Sequence, residues 1–332
     1  MTVAENEVPL QEELTYPFTR DDTFGELGMG SISWKHRVGL IFGCVLLVPI
    51  RALLALVLVV SYWLFCIVSP VIPEKQRFAL IPLLGRWHCR ACLFVMGFIK
   101  INWVIMEPEG GASSGAPPAG GIVSNHTSWA DILVHMSRSF PAFVARDATK
   151  ATPFIGLISQ LMGCVYVDRI RADKSQNGVA ELVRDRMRQT SAGESLSSRH
   201  LLLYPEGTTS NGKYILPFKT GAFLAGVPVQ PVIIQYEKGW ISPTWESIPI
   251  HRHLILLLAH PCHSATFTEL PVYVPNAEER ADPRLYATNV RELMMKAGGF
   301  ENTAATFEDK MRHLATIKRK YGILPPVTKK TE

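Results

Sequence analysis

The residues best placed to do chemistry in this 332-residue chain begin at Asn125-His126-Thr127-Ser128-Trp129-Ala130-Asp131. The stretch leaves a predicted strand and enters a predicted helix. Ser128 followed three residues on by Asp131 has the pattern of a capping box, with Ser128 as N-cap and Asp131 in the first turn. On a regular helix, residues five apart point to different faces. His126, still in the loop before the cap, can instead fold its ring back over the first turn toward the Asp131 carboxylate. An imidazole held in this way has a fixed tautomer and a stabilised imidazolium form, as a general base requires. No serine nucleophile is needed if the substrate brings its own hydroxyl. The plainer alternative is that Ser128 and Asp131 only cap a helix and His126 is a loop histidine.

A second stretch bears on that choice. Leu201-Leu202-Leu203-Tyr204-Pro205-Glu206-Gly207-Thr208-Thr209-Ser210-Asn211-Gly212 runs from an apolar strand into a loop of small hydrogen-bonding residues. Lys219 follows, just before the glycine-containing helix start Thr220-Gly221-Ala222-Phe223. A backbone-rich loop, a cation and a helix N-terminus together suit an anion. Glu206, opening the loop at the strand end, could hold a polar substrate group; the alternative is an ordinary surface turn. Cys89-Arg90-Ala91-Cys92 is half of a zinc pattern without a second pair, and His260-Pro261-Cys262-His263 has no tetrahedral spacing. No metal is expected.

Taken together, the motifs resemble the glycerolipid acyltransferases, which join acyl-CoA to glycerol phosphate or a lysophospholipid. The family's histidine-four-residues-aspartate block matches His126 and Asp131. Its second block, an aromatic or apolar strand ending in arginine, matches Val165-Tyr166-Val167-Asp168-Arg169. The third matches Pro205, Glu206, Gly207 and Thr208, and the fourth matches Val227-Pro228-Val229-Gln230-Pro231-Val232. The four stand in family order over residues 121–236. The resemblance implies His126 as general base, Asp131 as its orienting partner, and Arg169, Glu206, Gly207, Thr208 and Lys219 around the acceptor lipid. It implies acyl-CoA as co-substrate and no bound cofactor.

One departure narrows the acceptor. Family members acting on lysophosphatidic acid often have arginine after the third block, where a phosphate monoester would want a bidentate cation; here Thr209 stands there. Leu270-Pro271-Val272-Tyr273-Val274-Pro275, continuing to Asp282-Pro283-Arg284-Leu285-Tyr286-Ala287, resembles the plant-type lysophosphatidylethanolamine and lysophosphatidylcholine acyltransferases. Some members of that branch carry calcium-binding helical hands; no Asp-rich loop of that kind occurs here, so calcium regulation is not expected. The runner-up acceptor is lysophosphatidic acid. Two rivals lie outside the transferases: a hydrolase using water, and a non-catalytic lipid-binding scaffold.

The elements that must position these residues read as α/β. Strands are predicted at Ile99–Met106, Gly121–Ser124, Ala142–Ala145, Gly163–Val167, His200–Tyr204, Val229–Tyr236, His253–Ala259 and Leu270–Val274. Helices are predicted at Arg86–Phe98, Ser128–Ser137, Pro153–Met162, Lys174–Gln189, Asp282–Ala297 and Phe307–Tyr321. Their alternation implies a mainly parallel sheet covered by helices. Pro153–Met162 could fill the core or lie on a membrane beside the site, and core is favoured.

Val38 to Ile72 is almost wholly apolar, broken by Arg51 next to Pro49. As one helix it would be about 52 Å long, against a hydrocarbon core of roughly 30 Å. Either residues 52–72 span alone with 38–50 in the interface, or both arms enter as a hairpin turning near Pro49 and Arg51. Arg51 is expected near a head-group layer, because mid-bilayer arginine costs about 2.5–3.5 kcal/mol. With 47% hydrophobic and 19% charged residues the chain is not disordered, and six cysteines are too few for a disulfide scaffold. The first 30 residues hold seven acids and one base, leaving the rest near +11. That charge suits phospholipid head groups; no aromatic-plus-basic motif points to nucleic acid. Lys329 and Lys330, fourth and third from the end, resemble a di-lysine signal read by the machinery that retrieves proteins to the endoplasmic reticulum. Such a signal would place the C-terminus and catalytic domain in the cytosol. Four regions are expected: an acidic tail (1–34), a membrane-embedded segment (35–80), an α/β acyltransferase domain (81–300) and a C-terminal helix with a basic end (301–332).

Overall fold

The computed structural model describes residues 12–108, 117–167, 172–194 and 199–325. Its strands are β1 (Phe98–Ile105), β2 (Gly121–Ser124), β3 (Ala142–Arg146), β4 (Val165–Val167), β5 (Leu201–Leu203), β6 (Tyr214–Ile215), β7 (Val229–Tyr236), β8 (His263–Glu269) and β9 (Glu301–Asn302). Seven form one sheet in the order β1-β8-β7-β2-β5-β3-β4. Every neighbouring pair in it is parallel except β7 with β8. β6 and β9 make a separate short ladder.

The helices are α1 (Trp34–Phe42), α2 (Val48–Val68), α3 (Glu74–Val95), α4 (Ala130–Arg138), α5 (Ile155–Leu161), α6 (Ala172–Ser191), α7 (Ile250–Ala259), α8 (Ala277–Ala281), α9 (Pro283–Gly298) and α10 (Phe307–Lys320). One sheet face buries Val123, Leu201, Val229 and Ile233 against Val183 and Met187 of α6 and Tyr286, Val290 and Met294 of α9. The other buries Ile122, Leu202, Val232 and Phe267 against Leu93 of α3, Val134 of α4 and Leu257 of α7. This is the expected mainly parallel sheet covered by helices. The carboxyl ends of β2, β5 and β7 lie side by side, where open α/β sheets bind ligands.

Several elements differ from expectation. His253–Ala259 is not a strand but part of α7: a short leucine-rich run has no period that separates strand from buried helix, and leucine favours helix. The strand comes next, at β8, where His263, Ala265 and Phe267 point inward in alternation. Leu270–Val274 makes only a single bridge, between Tyr273 and Val229, because Pro271 and Pro275 interrupt its ladder. The helix expected at Arg86–Phe98 begins a full three turns earlier, at Glu74, and so crosses the border drawn at residue 80. In the acidic N-terminal region, Phe18, Phe24 and Leu27 are buried against the body.

The apolar N-terminal run does not turn at Pro49. Trp34–Val71 is a continuous 38-residue helical stretch, and it and Glu74–Val95 are both long and apolar enough to cross a membrane. A five-residue π-helical turn at Gly43–Leu47 precedes Pro49. Proline lacks an N–H and its ring crowds the carbonyl four residues back, so a widened turn lets the helix pass it. Reversal comes instead at Ser69–Pro73, and α2 and α3 form the hairpin. Arg51 is held by the protein itself. Its guanidinium donates to the carbonyls of Leu258 (2.9 Å), His260 (2.5 Å) and Pro261 (2.6 Å), clasping the end of α7.

Candidate active site

His126 follows β2 directly and Asp131 sits in the first turn of α4. The His126 Nδ1 lies 2.9 Å from Asp131 Oδ2. The same oxygen accepts the backbone N–H groups of Thr127 (2.8 Å) and Ser128 (2.9 Å), and Oδ1 accepts the Tyr236 hydroxyl (2.6 Å). The cap geometry therefore differs from the one expected. The helix begins at Ala130, whose N–H reaches Ser128 Oγ at 3.3 Å, and the aspartate bends back over the loop in place of a reciprocal box. The outcome for His126 is the same: its ring is folded over the turn and held at Nδ1, leaving Nε2 toward a cavity. Tyr204 stacks on the imidazole with centroids 4.0 Å apart and planes 15° from parallel. The Asp131 side chain is fully buried, while that of His126 keeps 18% of its surface exposed.

Glu206, expected to hold a substrate group, is turned inward. Its oxygens accept the N–H of His126 (2.7 Å) and of Leu216 (2.8 Å), so it braces the backbone of the His126 loop. Burial pushes its carboxyl up to about 8, against the pull of those two donors and of Arg291. Gly207 lies on the cavity wall with φ +72°, and a Cβ built there would fall 2.7 Å from Lys219 Nζ. Lys219 is exposed beside it, also on the wall. Thr208 is off the wall; its Oγ1 accepts from Lys310 Nζ at 3.1 Å. Arg169 lies outside the described residues.

The cavity is about 910 Å³ and runs from His126, Tyr204 and Gly207 to Leu58, Val59 and Tyr62 of α2 and Cys89 and Cys92 of α3. Met136, Ile158, Val183 and Leu203 complete a wall that is overwhelmingly apolar. α5 fits the favoured core expectation, with Ile158 buried at the cavity. The thiol pair of α3 faces this apolar space, and among the described residues no group of three or more His, Cys, Asp or Glu side chains could hold a metal ion.

Three participants escaped the sequence reading. Tyr204 and Tyr236 end or follow strands whose carboxyl ends flank β2, a position that marks them once strand order is known. Lys310 is distant in sequence and carries no local signal.

Residues 119–235 match the family model described as Acyltransferase. The chain is 36% identical, over 91% of its length and 86% of the relative's, to "Lysophospholipid acyltransferase LPEAT1" of Arabidopsis thaliana. This chain belongs to the acyltransferase family. It is also 31% identical, over 84% of its length, to the human "Lysophosphatidylcholine acyltransferase 2", and 30% identical, over 91%, to the Drosophila melanogaster "Lysophosphatidylcholine acyltransferase". It spans 51% and 59% of those two relatives. A solved acyltransferase, PlsC from Thermotoga maritima, aligns with 75% of this chain and 96% of its own, at 17% identity and a TM-score of 0.45. The matched acyltransferase segment holds His126, Asp131, Glu206 and Lys219. Lys310, Arg51 and all the α2 and α3 residues of the cavity wall lie outside it.

Proposed function

We propose that this acyltransferase transfers an acyl chain from acyl-CoA to the free hydroxyl of a lysophospholipid with an esterified head group. The observation that carries the reading is the braced His126 opening onto an apolar cavity whose far wall is the membrane hairpin. An acyl chain fits such a space, and a bilayer delivers both substrates to it. The names of the plant, human and insect relatives point to the same acceptor class. His126 Nε2 removes the hydroxyl proton as that oxygen attacks the thioester carbonyl. The tetrahedral oxyanion then collapses, the C–S bond breaks, and CoA leaves as thiolate, taking the proton from the imidazolium. Asp131 stabilises that imidazolium while it exists.

Gly207 and Lys219, which lie on the cavity wall, hold the acceptor's phosphate side; Thr209 contributes nothing there, because it is buried at 5% exposure. That placement gives a phosphate monoester no bidentate partner at position 209. The catalytic domain rests on the cytosolic leaflet of the endoplasmic reticulum, with Lys329 and Lys330 as retrieval signal.

The test is purified full-length protein in mixed micelles with acyl-CoA and a panel of lysophosphatidylethanolamine, lysophosphatidylcholine and lysophosphatidic acid. CoA release coupled to diacyl phospholipid, abolished in His126→Ala, supports the reading. Free fatty acid as the product would mean a hydrolase, and a preference for lysophosphatidic acid would overturn the head-group assignment.

A further inference from the structure

Lys310 sits on α10, outside the segment matched by the family model, yet its ammonium lies beneath the turn that follows Glu206. Nζ donates to Thr208 Oγ1 (3.1 Å), Thr209 O (2.7 Å) and Thr209 Oγ1 (2.9 Å). Three donors meet three acceptors on two adjacent residues, so the group is saturated. Lys310 is only 6% exposed. Among the described residues no carboxylate touches it; Glu246 and Glu206 act on it only through their fields, and the Phe18 ring lies 5.8 Å away.

Burying a cation without a contacting anion is costly. A hydrocarbon stem of the same length would fill this space without that cost. What only the ammonium adds is a directed grip on the Thr208–Thr209 backbone and hydroxyls. The grip extends further. Thr209 Oγ1 also donates to the carbonyl of Trp245, and the Trp245 N–H donates to Thr127 O at 2.7 Å, next to the general base. On the other side, the Ser210 N–H donates to His126 O at 3.0 Å. The N-terminal segment clamps the same loop: Asn211 Nδ2 donates to the carbonyls of Tyr16 (2.8 Å) and Thr19 (3.1 Å).

We propose that Lys310 is a positioning residue of the acceptor site, holding the Gly207–Thr209 turn against the cavity mouth so that Gly207 and the His126 loop keep their places. The proposal rests on the acyl-transfer reading above. Its consequence is an asymmetry between substrates: the acceptor's polar end meets this turn, whereas the acyl chain lies in the apolar cavity beyond it.

The experiment measures kcat and both KM values for full-length wild type, Lys310→Met and Thr208→Val in mixed micelles, with thermal unfolding alongside. Lys310→Met keeps the stem and removes the donors; Thr208→Val removes one acceptor from the turn and leaves the lysine. Lys310→Met is expected to lower kcat/KM for lysophospholipid tenfold or more, with the acyl-CoA KM within twofold of wild type. Thr208→Val is expected to move the same constant in the same direction by about threefold, and the double variant to be no worse than Lys310→Met, because one bond joins them. The proposal is overturned if folded Lys310→Met keeps its acceptor kcat/KM within twofold, or if donor and acceptor KM rise together. Should Lys310→Met fail to fold, Thr208→Val decides alone: an unchanged acceptor constant refutes the positioning role. A wild type that releases no CoA with any acceptor overturns the functional reading first, and this proposal with it.

Discussion

Asparagine at position 131 is expected to slow acyl transfer by only about 10–100-fold, while alanine there is expected to cost about 10³-fold or more. The difference comes from the two backbone N–H groups of Thr127 and Ser128, which both point at Oδ2. An amide nitrogen placed there would face two donors, so the substituted side chain must put its oxygen in that position. The same oxygen then still accepts from His126 Nδ1, and the tautomer that leaves Nε2 basic is preserved. The amide NH₂ replaces Oδ1, where the Tyr236 hydroxyl can rotate from donating to accepting. What vanishes is the negative charge. A hydrogen bond to a charged group contributes about 1.5–3 kcal/mol and a neutral one about 0.5–1.5, a loss of roughly 1–2 kcal/mol. The ceiling, from Coulomb's law at about 4 Å and an effective dielectric of about 20, is about 4 kcal/mol. At 1.36 kcal/mol per tenfold in rate, the middle of that range gives the stated factor. Alanine removes the tautomer lock as well, approaching the loss in His126→Ala, where general-base catalysis of about 10²–10⁴-fold is forfeited. The assay is CoA release at saturating substrates, with thermal unfolding as a control. If Asp131→Asn proves as inactive as Asp131→Ala while still folded, the backbone donors do not enforce the amide orientation, and the reasoning fails.

Other outcomes follow from the same geometry. Tyr236→Phe removes the hydroxyl that donates to Asp131 Oδ1 and should cost about 1 kcal/mol of stability with a few-fold loss of rate, read by unfolding and turnover together. Gly207→Ala should lose about 1–2 kcal/mol to its left-handed backbone and push Lys219 aside, raising acceptor KM while sparing acyl-CoA KM. Met136→Trp, filling the cavity, should discriminate against long acyl chains in a chain-length series; equal loss for all lengths would place the acyl chain elsewhere. Because burial raises Glu206 from 4.5 to about 8, the folded state holds its proton more tightly than the unfolded chain. Its contribution is full below pH 4.5 and fades as pH rises through 8, so the unfolding temperature of wild type relative to Glu206→Gln should fall across that window.

The contact between His126 and Asp131 was legible because its geometry is local. Five residues separate His126 from Asp131, and one loop-to-helix turn fixes how they meet. The sheet was legible where strands alternate with helices, from Gly121 to Tyr236. It was misread where a leucine run carried no period, at His253–Ala259, and where the short alternation of β8 was overlooked. Glu206 shows a different limit: its motif drew attention to the right place, but only the fold reveals that two backbone N–H groups consume both oxygens. Pro49 and Arg51 looked like a turn because each disfavours an apolar helix, and a π-helical turn and three distant carbonyls reconcile them. Tyr236 and Lys310 depend on strand order and long-range packing, which no local pattern encodes.

The clasp at Arg51 ties the apolar hairpin to the body of the protein. Leu58, Val59 and Tyr62 begin two turns beyond it on the same helix, and with Cys89 and Cys92 they close one side of the cavity. A fragment trimmed of α1–α3 to gain solubility would be a cup with a missing side, its greasy lining open to water. With the hairpin in a bilayer, as proposed, strain from a thicker or thinner lipid leaflet would be felt first at that shared wall, making the surrounding lipid a dimension of substrate choice.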